Sequence, residues 1–140
     1  MATLFTQIIN GDIPGLFVWK DERAVAFMSI NPLNAGHVLV VPRAEIDHWL
    51  DLPAELAQHL MTVSQALGQA LQRAFNPARV GLVIAGFEVP HCHVHVVPAA
   101  GMHHLDFARA ATSSDPAELA SAAEAIRTAL RELDFSQVAA

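Results

Sequence analysis

The sequence predicts an α+β domain in which helices pack against one antiparallel sheet. Short apolar runs bounded by turn-forming residues indicate strands, and apolar residues at three-to-four spacing indicate helices. These signals follow the order helix, three strands, long helix, two strands and helix. Tight connections join the first two strands and the last two, which favours antiparallel pairing. The length of 140 residues fits one domain, predicted over residues 1–140.

The first helix and the five strands follow from local signals. A short helix is predicted over residues 3–10, because its apolar residues share one side and Gly11 stops it. Strands are predicted where apolar runs lie between charged, Gly-rich or Pro-containing turns. The predicted strands cover residues 16–20, 24–29, 37–41, 79–85 and 92–97.

Two longer helices are predicted from an apolar stripe and from their end signals. The first runs from Pro53, at its first position, to about Asn76, and Met61 and the leucines are expected in the core. The second begins at the capping residue Asp115, with Pro116 just inside it. Residues 99–114 show no clear periodicity and are expected to form a loop.

Composition excludes several classes of protein. Eight Lys and Arg residues against 14 Asp and Glu residues give a formal net charge of −6, so no basic field for nucleic acid is present. No apolar run is long enough for a membrane span, and the amino-terminal residues lack the basic stretch of a signal peptide, so we expect a cytoplasmic protein. The single cysteine, Cys92, excludes an internal disulfide framework and a cysteine-rich zinc site.

The segment His91–Pro98 carries the pattern that indicates chemistry. Side chains of a strand alternate between its two faces, so His91, His93 and His95 are predicted to share one face. The other face is predicted to enter an apolar layer; it carries Cys92, Val94 and Val96. Clustered imidazoles cannot all be protonated at low cost, so their pKa values separate. Near neutral pH this provides a neutral nucleophile beside an acid.

Two other interpretations of these histidines compete with the nucleophile. A lone histidine on a strand is commonly half-exposed and has no function, but three histidines in strict alternation rarely lack one. Three histidines and a water also form a known type of catalytic zinc site. Same-face neighbours on a strand lie about 7 Å apart at Cα, which suits two ligands better than three. With Glu88 as the nearby carboxylate, the sequence favours the nucleophile and predicts no metal and no cofactor.

The motif His-x-His-x-His, followed by two apolar residues, resembles the signature of the histidine-triad superfamily. Three upstream blocks resemble that family as well, namely residues 8–14 (IINGDIP), 26–32 (AFMSINP) and 36–42 (GHVLVVP). The resemblance covers residues 3–98 in order. It implies the histidine-triad fold, a five-stranded antiparallel sheet with a long helix and a C-terminal helix, and it implies a homodimer.

The resemblance also implies hydrolysis or transfer at the α-phosphate of a nucleoside phosphoramidate or a dinucleoside polyphosphate. His93 matches the nucleophile that forms a nucleotidyl-histidine intermediate, and His95 matches the residue that contacts the phosphate and leaving group. His91 matches the first triad histidine, and His37 matches a fourth active-site histidine. The positions that match the pocket for a purine nucleotide are Phe5, Ile8, Ile13, Phe27, Ser29, Ile30, Gly86 and Glu88.

Four positions depart from the family pattern. Ser29 stands where many members have an Asp that binds the ribose hydroxyls. Glu88 would repel an anionic substrate unless it is protonated, turned away or paired. Thr3 and Thr6 replace a zinc-binding Cys-x-x-Cys found in some members, so no such zinc is expected. Because of Ser29 and Glu88, a nucleotide-binding module with little turnover is the alternative function, followed by a His-ligated metalloenzyme.

Overall fold

The protein, described by a computed structural model over residues 2–139, folds around a five-stranded antiparallel sheet with the order β1-β2-β3-β5-β4. The predicted fold class is therefore confirmed; residues 1 and 140 of the predicted domain lie outside the described residues. The helices and strands are α1 (Leu4–Ile9), β1 (Phe17–Lys20), β2 (Ala24–Met28), β3 (Val38–Pro42), α2 (Ala54–Phe75), β4 (Arg79–Val83), β5 (Val94–Ala99) and α3 (Pro116–Glu132). None of the described helices combines the length and apolar character needed to cross a bilayer.

The helix ends largely follow their sequence signals. The Asp115 side chain accepts a hydrogen bond from the Ala117 N–H and caps α3, as predicted. Pro53, predicted as the first residue of α2, instead precedes the helix, because its ψ of 142° is extended. Its carbonyl accepts hydrogen bonds from the N–H groups of Leu56 and Ala57, so the helix begins one residue later than predicted.

The last strand differs most from its prediction. It begins at Val94 instead of Cys92, and it continues through Pro98 to Ala99. The Cys92 N–H donates to the Ile46 carbonyl at 2.7 Å, so this residue pairs with the loop after β3 instead of joining the sheet ladder. His91 and His93 therefore lie in an extended segment before β5, and only His95 of the triad lies within the strand.

Other boundaries differ by smaller amounts. β2 ends one residue before Ser29, β4 ends at Val83 instead of Ala85, and β3 includes Pro42. Within residues 99–114, two 3-10 helices interrupt the expected loop, at Met102–Leu105 and Phe107–Arg109. A third follows β3 at Trp49–Asp51.

The sheet has a different cover on each face. Helices α2 and α3 pack on one face and form the larger core, to which Cys92, Val94 and Val96 belong. The opposite face carries a smaller apolar cluster between β2, β3 and α1, which includes Phe5, Ile8, Phe27 and Leu39. Because α1 has six residues, it covers only part of this face, and a cavity lies beside it. Burial of each large core side chain contributes about 1.5–3 kcal/mol to folding.

Candidate active site

A cavity of about 410 Å³ lies on the α1 side of the sheet. That volume is in the range of small-molecule sites. Of the predicted site residues, the structure brings ten to its wall: His37, His93, His95, Phe5, Ile8, Ile13, Phe27, Ser29, Ile30 and Glu88. His91 and Gly86 are not in the wall. The cavity therefore unites residues from the amino terminus, β2, β3, the 86–90 loop and β5.

His93 presents one ring nitrogen to the cavity because the other is held by the backbone. Its Nδ1 lies 2.7 Å from the His91 carbonyl oxygen. A carbonyl can only accept, so Nδ1 carries the proton and donates. In the neutral ring, Nε2 then holds the lone pair. The rings of Phe5 and His93 pack edge to face with centroids 4.9 Å apart, which supports the orientation of the imidazole.

The proton of His95 is placed by a chain of hydrogen bonds that starts at the backbone. The Leu33 N–H donates to His37 Nδ1 at 3.0 Å, so the proton of neutral His37 is on Nε2. That Nε2–H donates to His95 Nδ1, also at 3.0 Å. His95 therefore carries its own proton on Nε2, which has no hydrogen-bond partner among residues 2–139. A buried N–H without an acceptor in a cavity wall is suited to a ligand oxygen.

Burial lowers the pKa values of His37, His91 and His95. It lowers the pKa of His37 to about 3, with further lowering by the charges of His95 and His93. It also lowers the pKa of His95 to about 4, and His93 adds to that effect. The pKa of His91 is likewise below its ordinary value, chiefly through burial. The proton positions derived for His37 and His95 thus hold at neutral pH.

His91 is buried behind the cavity and connects three parts of the chain. Its Nε2–H donates to the Pro42 carbonyl at 2.7 Å, so its Nδ1 accepts, and the Thr3 hydroxyl donates to it at 2.7 Å. The Thr3 N–H in turn donates to the Glu45 carboxylate. The sequence grouped His91 with the catalytic residues, whereas its geometry is that of a residue that positions the carbonyl bonded to His93.

Glu88 stands directly against the nucleophile candidate. Its Oε2 lies 3.0 Å from His93 Nε2, and its side chain is half-exposed in the 86–90 loop. Of the three states foreseen for this carboxylate, the structure shows the paired one. Partial burial raises the pKa of Glu88, but the hydrogen bonds from His93 and from its own backbone, together with the charges of His93 and His95, outweigh burial, and the pKa lies below its ordinary value.

The remainder of the wall is apolar, with one residue that the sequence did not reveal. Phe107, in a 3-10 helix of the unassigned segment, packs its ring on His95 with centroids 4.8 Å apart. In the sequence, Phe107 is a single aromatic residue in a segment without periodicity, so no pattern indicated its place in the site. Ser29 is buried in the wall, and its hydroxyl oxygen accepts from the Asn31 N–H at 3.3 Å. The Ser29 O–H remains available to donate to a ligand.

Three of the other histidines serve local structure. His59 pairs with Asp21 at 2.8 Å and ties α2 to the β1–β2 turn. His104 accepts a hydrogen bond from the Ala100 N–H, and His48 caps the 3-10 helix at Trp49–Asp51. None of these three lies in the cavity wall.

Comparison with known proteins gives one consistent result. The HIT domain family model matches residues 10–102. An uncharacterised HIT-like protein of Methanocaldococcus jannaschii is 36% identical over 100 residues, which is 68% of this chain and 77% of that protein. The adenosine 5'-monophosphoramidase of Saccharomyces cerevisiae is 30% identical, covering 69% of this chain and 62% of the enzyme.

A second characterised relative and a solved structure extend the comparison. The asymmetrical bis(5'-nucleosyl)-tetraphosphatase of Schizosaccharomyces pombe is 34% identical over 86 residues, which is 57% of this chain and 47% of that enzyme. A crystal structure of a zinc-bound histidine-triad family protein from Mycobacterium smegmatis superposes with a TM-score of 0.82 at 27% identity, covering 96% of each chain.

Proposed function

The chain belongs to the HIT domain family, and from that membership we propose that it hydrolyses nucleotide substrates at the α-phosphate through a nucleotidyl-histidine intermediate on His93. The family includes a phosphoramidase and a dinucleoside tetraphosphatase. The observation that carries the proposal is the distribution of protons in the site. Since Nδ1 of His93 carries the proton bonded to the His91 carbonyl, the lone pair of the neutral ring is on Nε2, and the neighbouring His95 offers an unpartnered N–H.

The proposed reaction has two displacements at phosphorus. In the first, His93 Nε2 attacks the α-phosphorus, the bond to the leaving group breaks, and the nucleotidyl group is bound to the ring. The Nδ1–H remains bonded to the His91 carbonyl, which stabilises the positive charge that the ring acquires. In the second, water attacks the same phosphorus, the P–N bond to His93 breaks, and the nucleoside monophosphate leaves.

His95 is proposed to stabilise both transition states. Negative charge develops on the phosphoryl oxygens, and a fixed donor facing that charge lowers the barrier. The ring of His95 lies next to that of His93, with centroids 4.9 Å apart. The purine is proposed to lie among the apolar wall residues, and the Ser29 hydroxyl to donate to the ribose.

Trapping the intermediate tests the proposal. The enzyme is mixed with an adenosine 5'-phosphoramidate and quenched in base, and the peptide containing residues 91–98 is analysed by mass spectrometry. We expect one adenylyl group on His93, and we expect His93→Ala to lower kcat on the order of 10³-fold or more. His103→Ala, at an exposed histidine outside the cavity wall, is the matched control. Wild-type turnover by His93→Ala would refute the assignment.

The pairing of Glu88 with His93 favours one alternative, a binding module with little turnover. In the arrangement shown, the carboxylate covers the atom that must attack. Calorimetry with AMP and GMP, run beside the turnover assay, separates the two functions. Nucleotide binding without hydrolysis of a phosphoramidate or a dinucleoside polyphosphate would establish the module.

A metal centre fits these residues poorly. A carboxylate oxygen of Glu88 and ring nitrogens of His93 and His95 lie within 4.8 Å of one another, which is a possible ligand set. However, the hydrogen bonds from Leu33 and His37 place the proton of His95 on Nε2, and a protonated nitrogen cannot bind a metal. The hydroxyls of Thr3 and Thr6 are weak substitutes for zinc-binding thiolates.

A second copy of the chain is proposed to cover an exposed apolar surface on the α2 side, the α2–β4 surface. It is formed by Trp49, Met61, Leu82 and Ile84. Met61 is 58% exposed, so its predicted place in the core is wrong. β4 is an edge strand, whose free backbone groups can pair with another strand.

Sedimentation tests this homodimer. We expect the wild type to sediment as a dimer at micromolar concentration and Leu82→Lys as a monomer. Met102→Lys, at an exposed apolar residue outside the α2–β4 surface, should leave the dimer intact. A monomeric wild type would contradict the proposal.

A further inference from the structure

Glu88 is the one Asp, Glu, Lys or Arg side chain among the described residues in the cavity wall. The rest of the wall is apolar or carries imidazole, hydroxyl and amide groups. The described wall therefore lacks a lysine or arginine that would offset the charge of a long polyphosphate.

The hydrogen bond between Glu88 and His93 contains one proton that the reaction has to relocate. His93 Nδ1 already donates to the His91 carbonyl. Without a further proton, Nε2 and Oε2 would both present lone pairs to each other at 3.0 Å, which is repulsive. One proton therefore lies between them. It must leave Nε2 before that atom can attack phosphorus.

We infer that Glu88 is a proton-transfer and specificity residue, which takes this proton from His93 Nε2 and gives it to the nitrogen of an amine leaving group. The inference rests on the proposed function and narrows its substrate class. It assigns the site to nucleoside phosphoramidates of amines in preference to dinucleoside polyphosphates.

The first displacement begins with a proton transfer within the Glu88–His93 pair. The proton moves from His93 Nε2 to the Glu88 carboxylate, and the neutral imidazole attacks the α-phosphorus. As the P–N bond to the amine breaks, its electron pair stays on nitrogen, which takes the proton from the Glu88 carboxyl. The amine leaves neutral, Glu88 is a carboxylate again, and the nucleotidyl group is on His93.

The second displacement returns the system to its starting state. The Glu88 carboxylate accepts a proton from the attacking water while the oxygen bonds to phosphorus. The P–N bond to His93 breaks and leaves the imidazole neutral, with its Nδ1 proton in place. The half-exposed side chain of Glu88 lies in a loop and can follow the proton between His93 and the leaving atom.

The identity of the leaving group decides whether this proton is needed. An amine leaves from phosphorus as a neutral molecule and therefore requires a proton in the transition state. A 4-nitrophenolate or a nucleoside polyphosphate leaves as a stable anion and does not.

Three adenosine substrates test the inference, an alkylamine phosphoramidate, the 4-nitrophenyl ester of AMP and diadenosine tetraphosphate. We expect Glu88→Gln and Glu88→Ala to lower kcat for the phosphoramidate by roughly 10²–10³-fold, since both lack a transferable proton. The aryl ester should change by less than about threefold. For diadenosine tetraphosphate, kcat should likewise change by less than about threefold, because the polyphosphate leaves without a proton.

Two further variants complete the design. Glu88→Asp should restore part of the phosphoramidate rate, and Glu55→Gln, an exposed acidic residue on α2, should behave as wild type with all three substrates. Equal losses for all three substrates, or no loss for the phosphoramidate, would overturn the role of Glu88. Turnover of none of them by wild type, or retained turnover in His93→Ala, would overturn the proposed function itself and this role with it.

Discussion

The two faces of the segment 91–97 are buried alike and yet are used in different ways. On one face, Cys92, Val94 and Val96 pack beneath α2 and α3 and contribute to the larger core. On the other, three imidazoles are buried at a cost, because polar groups lose water there. That cost is offset by hydrogen bonds that allow one position for each proton. Burial stabilises the fold on one face and sets the protonation of the site on the other.

The contrast appears in the titratable groups themselves. Burial raises the pKa of the Cys92 thiol to about 11, with a small further effect from Asp47, so this thiol is inert. Burial lowers the pKa of His95 to about 4, so its ring is neutral and remains a hydrogen-bond donor. Loss of water thus keeps the Cys92 thiol protonated and unreactive, whereas it keeps the His95 ring neutral and able to donate a hydrogen bond.

The largest effects are expected from two single substitutions, one on each face of the segment 91–97. Val96→Ala removes buried methyl groups and should lower the free energy of unfolding by about 2 kcal/mol while kcat stays near the wild-type value. His95→Gln should lower kcat by about 10²–10³-fold, since the donor to the phosphoryl oxygen is lost. Urea unfolding and steady-state kinetics on both variants measure this. If Val96→Ala lowers kcat as much as His95→Gln does, the two faces are not independent.

His37→Phe should have an intermediate effect on catalysis. It removes the relay between the Leu33 N–H and His95 Nδ1, so the proton of His95 can occupy either nitrogen. We expect kcat to fall roughly tenfold to a hundredfold, less than the loss of the donor itself. KM should change little, because both ring nitrogens of His37 are bonded within the protein and neither is free to contact a substrate. A kcat equal to that of the wild type would show that the relay does not set the position of the proton.

Acid should destabilise the fold through the same two histidines. The pKa values of His37 and His95 are about 3 and about 4 in the folded protein, whereas an ordinary histidine has a pKa of 6.5. Since both are lowered by folding, the unfolded chain binds more protons, and stability is complete above pH 6.5 and falls as the pH approaches 4. Each histidine adds a slope of roughly 1 kcal/mol per pH unit in that window.

Urea unfolding between pH 4 and pH 7 measures this slope. His37→Phe should reduce it by about half, because one of the two groups no longer titrates. His103→Ala, at an exposed residue, is the control and should retain the wild-type slope. An equal slope in His37→Phe and wild type would remove His37 from the explanation.

The smallest effect is expected at Thr3, outside the cavity wall. Thr3→Val keeps the shape but removes the hydroxyl that donates to His91 Nδ1. We expect a loss of about 1–2 kcal/mol in unfolding free energy. The fall in kcat should be severalfold at most, since the His91 carbonyl stays in place. A loss of kcat as large as that of His95→Gln would mean that His91 acts on the substrate.

The sequence predicted the faces of this segment better than its secondary structure. Alternation depends only on extended backbone, so the separation of histidines from Cys92, Val94 and Val96 is confirmed although β5 begins at Val94. The strand boundary depends on the Cys92 bond to Ile46, which is a tertiary contact between distant segments. Local patterns contain no information about it.

Other features of the molecule were beyond prediction for related reasons. The sequence placed Glu88 in the pocket but left open whether it is protonated, turned away or paired, because loop direction is set by contacts that periodicity does not describe. Phe107 reaches His95 from a segment without a repeating pattern. Met61 fits the apolar stripe of α2, but spacing does not distinguish a core face from an exposed apolar face.

The positions of the imidazole protons are the central claim, and nitrogen NMR of the side chains at neutral pH reads them directly. On ¹⁵N-labelled protein, long-range correlation spectra distinguish a protonated ring nitrogen from one with a lone pair. We predict protons on Nε2 of His37 and His95 and on Nδ1 of His93. A proton on Nδ1 of His95, or a lone pair on Nδ1 of His93, would contradict the account.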